Sequence, residues 1–176
     1  IPARELKIVV NLYNRERVSE ARFREYERLF DAMRSDGARF SALTQPYSPW
    51  QMWIMQCEFR RDLERYLSRS SAKRKTLGEI IAFYEANPQT MMKYGISHLQ
   101  EAAQKSVDDP EYKEAMAQRA RVRDQVVREL EDFDACVMTG PTNVMHFVGL
   151  PSLALKLCAG EDGLPQGIIL YGADER

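Results

Sequence analysis

The chain lacks a disulfide framework. Its three cysteines, Cys57, Cys136 and Cys158, stand in apolar surroundings and none is in a CxxC pair. An odd, unpatterned set of thiols reads as reduced and intracellular, so a cytoplasmic location is expected. Histidine is scarcer, with only His98 and His146. Two histidines so far apart make no ligand-spaced cluster, so no metal is expected, and no cofactor is implied. No sign of charge dominates, since 25 basic residues face 26 acidic ones for a net charge of −1. That balance excludes the field that would draw nucleic acid or an anionic membrane. The densest basic run, Lys73-Arg74-Lys75, reads as exposed charge. No apolar run reaches the roughly 20 residues a bilayer needs, and no basic-then-apolar leader opens the chain. Repeats, low-complexity tracts and an interdomain linker are absent too.

What is present suits one domain or a large piece of one, over residues 1–176, with 44% hydrophobic residues to build a core. Lys7 to Tyr13 is β-rich and reads as a buried strand. From Glu20 to Ser35, Phe23, Tyr26, Leu29, Phe30 and Met33 fall three or four apart on one helical face. Gly37 sits where a left-handed C-terminal cap belongs. A second strand is expected over Phe40 to Leu43, giving a βαβ-like unit with a right-handed crossover. Both ends, at Ile1 and Arg176, lie so close to strand-like runs that they look cut.

Ser48-Pro49-Trp50 predicts a helix start, with serine as cap and proline in the first position. The turns from Trp50 to Phe59 are apolar nearly all round, so deep burial is expected, before the helix turns charged from Arg60 to Leu67. Thr76-Leu77-Gly78-Glu79 is a capping box, and Pro88 ends the helix it opens. A short helix is expected over Ile96 to Lys105. The longest runs from Pro110 to Glu131, on a stripe of Tyr112, Ala115, Met116, Val122, Val126 and Leu130 interrupted by Arg119. Asp134 to Met138, Ser152 to Leu157 and Gln166 to Tyr171 read as strands.

Several of these pieces, in order, resemble the C-terminal part of the amidase-signature hydrolases. They include Lys75-Thr76-Leu77-Gly78-Glu79-Ile80-Ile81-Ala82-Phe83, then Tyr94-Gly95, then Asp109-Pro110-Glu111-Tyr112 with the long helix. Phe133-Asp134-Ala135-Cys136-Val137-Met138 leads to Pro141-Thr142, as a strand leads to a Pro-Thr pair in that family. Gly149-Leu150-Pro151-Ser152 and Gly163-Leu164-Pro165-Gln166-Gly167 close the set. The resemblance implies a fold class of α/β, a fragment of the mixed-sheet amidase-signature fold with helices packed on the sheet. The sequence departs from the pattern at Cys158, where the family shows proline, and at His146, where it shows asparagine.

The mechanism so implied is acyl transfer: a serine attacks the amide carbonyl, and a second serine relays the proton to lysine. The Gly/Ser-rich segment that carries this triad in the family has no counterpart in these 176 residues. Ser70 and Ser71 with Lys73 sit in a basic, glycine-free connection and read as a solvated loop. A pairing of Cys136 with His146 competes with plain core packing of the cysteine. The expected function is therefore the C-terminal portion of an amide C–N hydrolase, with no catalytic residue in this chain. By resemblance, Thr142, Asn143 and His146 would line the pocket for a small amide substrate, whereas Gly140-Pro141 equally reads as turn punctuation. The unpaired sheet edges of such a fragment predict self-association. A non-catalytic α/β interaction module, or part of a tRNA-dependent amidotransferase subunit, remains open as an alternative.

Overall fold

The run from Lys7 forms a strand, β1 (Lys7–Asn11), that stops two residues before Tyr13. Asn11 ends it. Its side-chain Oδ1 accepts the backbone N–H groups of Tyr13 and Gln45, both at 3.1 Å, and turns the chain away from the sheet. The computed structural model describes residues 3–45, 48–160 and 163–173; both chain ends, Ile1 and Arg176, lie outside them. The chain divides into two units, residues 1–48 with 120–176, and residues 49–119.

The first unit is built on a five-stranded mixed sheet. Its order is β2 (Arg39–Leu43), β1, β3 (Ala135–Met138), β5 (Pro165–Tyr171), β4 (Ser152–Ala159). β2, β1 and β3 run parallel, and β5 and β4 antiparallel beside them. β1 is buried from Ile8 to Asn11, as befits a strand covered on both faces. Between β1 and β2 runs α1 (Glu20–Ser35), capped by the Ser19 hydroxyl accepting from the Arg22 N–H. Its exit is a Schellman motif: Ala38 N–H reaches Met33 O, Gly37 N–H reaches Arg34 O, and Gly37 sits at φ 95°. The predicted stripe is the one that packs. Tyr26 and Phe30 join Ile8, Val10, Val137 and Ile168 in one core, flanked by Phe23, Leu29 and Met33.

The second unit is helical: α2 (Trp50–Ser68), α3 (Leu77–Ala86), α4 (Pro88–Met91) and α5 (Ser97–Ala103). The longest helix, α6 (Pro110–Leu130), gives residues 110–119 to this unit and 120–130 to the first. Two expectations for α2 are corrected. Its cap position is Pro49, not Ser48, because the Ser48 backbone is engaged by Asn143. Its first turns are buried on one side only. Ile54, Gln56 and Cys57 are covered, whereas Met52, Met55 and Phe59 are 38%, 53% and 40% exposed. Those three lie on one stripe, at i, i+3 and i+7, opposite Ile54 and Cys57. Buried Gln56 is held between Glu101 and Lys105, whose ammonium also lies 3.8 Å from the Trp53 ring centre. The capping box forms: Thr76 Oγ1 accepts from Glu79 N–H at 3.2 Å, and the Glu79 carboxylate accepts from Thr76 and Lys75 N–H at 3.0 and 2.7 Å.

Candidate functional site

The C-terminal ends of β1 and β3 carry most of the buried polar groups described in the first unit. Asn11, Gln45 and Thr139 are at most 2% exposed. Asn11 Nδ2 donates to the Tyr171 hydroxyl at 3.1 Å, and that hydroxyl donates to Gln45 Oε1 at 2.6 Å. Gln45 Nε2 donates to Glu129 of α6 at 2.7 Å, and Thr139 Oγ1 donates to Asn11 O at 2.8 Å. Each of these buried groups finds a partner, so the network fixes the loops that leave the two strands. Burial raises the Tyr171 hydroxyl above its ordinary range and pushes the Cys136 thiol up to about 12.

The loop after β3 is held against the loop after β1. Gly140 approaches the latter so closely that a Cβ would lie 2.3 Å from Tyr13 O. Asn14, in a left-handed conformation at φ 56°, donates from Nδ2 to Pro141 O at 2.8 Å. The loop then enters α7 (Val144–Val148), which ends on Gly149 at φ 71°. Thr142 Oγ1 accepts the Val144 N–H at 3.3 Å, a local turn that leads into the helix. Asn143 makes two 2.9 Å bonds to the Ser48 backbone, accepting from its N–H and donating to its C=O. His146 is exposed, while its neighbours Val144, Met145, Phe147 and Val148 are buried. Of the three residues singled out in sequence, Thr142 closes a local turn, Asn143 ties two loops together, and His146 alone is exposed.

A cavity of about 510 Å³ opens beside this loop, and it touches the loop through Thr139, Gly140 and Pro141. Its other walls are the 3-10 turn before α1, with Arg17, the first turn of α1, with Arg22, and the β4–β5 hairpin, with Gln166 and Gly167. Thr142, Asn143 and His146 do not line it. Sequence reasoning missed Arg17 and Arg22. The one local signal was their placement around the Ser19 cap, and the hairpin they face is more than 140 residues later.

The other candidate nucleophiles are structural. Ser70 Oγ donates to Leu67 O at 2.9 Å and accepts from Ala72 N–H at 3.2 Å, closing α2 in a polar turn. Cys136 is fully buried in β3, and a thiol pushed up to about 12 carries almost no thiolate near neutrality. Among the described residues no group of His, Cys, Asp and Glu is placed to hold a metal ion, and no helix is long and apolar enough to cross a membrane.

No protein-family model matches the sequence, and no curated protein does. Solved structures do match. An amidase family protein from Bacillus anthracis str. Ames superposes at TM-score 0.79 with 20% identity, over 97% of this chain and 35% of that one. Native peptide amidase from Stenotrophomonas maltophilia gives 0.78 and 22%, over 97% of this chain and 40% of that one. A glutamyl-tRNA(Gln) amidotransferase subunit from Thermotoga maritima gives 0.60 and 14%, over 98% and 39%. The chain thus spans between 35% and 40% of the length of these relatives. Its fold is the α/β fold of amidase-signature enzymes.

Proposed function

We propose that this chain is the C-terminal portion of an amidase that hydrolyses carbon–nitrogen amide bonds by acyl transfer to a serine, with the catalytic triad carried by sequence outside residues 1–176. The observation that carries this reading is the superposition on amidases over 97% of the chain. The buried state of Cys136 and the capping role of Ser70 support placing the nucleophile elsewhere. Under this reading the chain's own work is to support and line the substrate site for a small amide. The loop with Thr142, Asn143 and His146 forms one edge of that site: Thr142 and Asn143 hold its shape, and the exposed imidazole of His146 meets the ligand. A soluble, cytoplasmic enzyme is part of the proposal. The likeness to the amidotransferase protein is weaker, at 0.60 against 0.79, which favours a simple amidase.

The isolated chain self-associates under the same reading. Among the described residues β4 pairs only with β5, and it presents Leu153 at 56% and Leu155 at 47% exposure along a free edge. Function is tested by comparing the full gene product with the 176-residue chain for release of acid from simple amides. Turnover by the gene product and none by the chain is expected. Turnover by the chain alone, abolished by Cys136→Ala, would overturn the proposal; an inactive gene product would favour the non-catalytic module.

A further inference from the structure

The cavity beside the β3–α7 loop carries positive charge that no carboxylate among the described residues answers. Arg22 donates from Nε to the Tyr26 hydroxyl at 2.8 Å and from Nη2 to Gly167 O at 3.1 Å, both neutral acceptors. Tyr26 is 1% exposed and donates its own hydroxyl to Gly167 O at 3.3 Å. The guanidinium is therefore fixed on a buried support, while its Nη1 makes no hydrogen bond among the described residues. Arg17 stands on the same wall, exposed and without an ion pair among the described residues. Among those residues, too, no aspartate or glutamate lines the cavity. On α1 itself, Glu20 pairs with Arg15 at 3.1 Å and Glu25 with Arg28 at 2.6 Å, while Glu16, beside Arg17 in sequence, does not line the cavity.

Two guanidinium groups on one wall repel each other and gain from an anion placed between them. Away from the arginines the lining turns apolar, with Met138, Ala154 and Ile169. At about 510 Å³ the cavity lies within the ordinary range for small-molecule sites. We infer that it is an acid-recognising subsite, which takes the carboxylate of an amide ligand with a short aliphatic body. Arg22, preset by Tyr26 and Gly167, supplies directed N–H donors. Arg17 supplies a second, more mobile charge. The amide portion of this inference rests on the proposed amidase reading, whereas the anion portion stands on the arginines alone.

The test is an NMR titration of the full gene product, isotope-labelled at arginine, with succinamate, succinamide and succinate. Succinamate, which carries one carboxylate and one amide, should bind at least about tenfold more tightly than the neutral diamide, as expected for one charge-assisted contact. Its signature is a shift of the Arg22 Nε–H resonance. The preference should shrink in R17Q, which removes an exposed side chain and leaves the fold intact, and vanish in the R17Q/R22Q double variant. Equal binding of succinamate and succinamide would overturn the inference, as would a preference unchanged in R17Q with a native spectrum. Succinate binding as tightly as succinamate, with the same arginine dependence, would keep the anion site and remove its amide part.

Discussion

Tyr171 shows at the residue scale how the fold holds the loops after β1 and β2 in place. Its ring closes the sheet beside β3, and its hydroxyl joins Asn11 to Gln45. Tyr171→Phe keeps the packing and leaves Gln45 Oε1 and one Asn11 N–H buried without a partner. The expected loss is about 1–3 kcal/mol in urea unfolding, more than the removal of an exposed hydroxyl would give. The cysteines offer a second residue-scale check. Cys136 and Cys57 are buried with thiols raised by desolvation, whereas Cys158 is half-exposed. Iodoacetamide should label Cys158 on the native chain and reach the other two only on unfolding, as read by peptide mass. Labelling of native Cys136 at a comparable rate would revive it as a nucleophile.

Among the elements, α3 gives the cleanest test, because its capping box is both visible in sequence and closed in the structure. Thr76→Ala should cost about 1 kcal/mol of stability by removing the acceptor for the Glu79 N–H. The backbone N–H groups of Lys75 and Thr76 hold the Glu79 carboxyl below its ordinary range. A lowered folded-state value means that this contribution is present above the unfolded carboxylate's range and is lost as pH falls through the folded one. Glu79→Gln should therefore flatten the acid limb of stability against pH, measured by thermal unfolding at a series of pH values. Local signals of this kind made the helices and strands legible: the α1 stripe, the Gly37 exit and the Thr76 box each depend on residues a few positions apart. The start of α2 was not legible. Its cap is decided by Asn143, which lies 95 residues beyond Ser48 and claims both of its backbone groups. Nor does composition alone show which side of an all-round apolar helix is covered, and Met52, Met55 and Phe59 lie on the open side.

For the whole molecule, the strands were legible in local patterns, and the mixed sheet followed from the resemblance carried by the two Gly-Leu-Pro segments. The cavity was not. Its walls come from residues 17–26, 138–141, 154 and 166–169, and only the completed sheet brings them together. The same sheet leaves β4 as a free, partly apolar edge. Sedimentation of the chain should show self-association, and Leu153→Lys with Leu155→Lys should shift it toward monomer. A wild-type chain that stays monomeric would contradict that expectation. The central claim is that this scaffold serves a serine acyl transfer whose nucleophile lies outside it. The most direct measurement traps the acyl-enzyme of the full gene product with a slowly turning-over amide and maps the adduct by peptide mass. The account predicts an acylated serine in a peptide outside residues 1–176. An adduct on Ser70, Ser71 or Cys136 would contradict it.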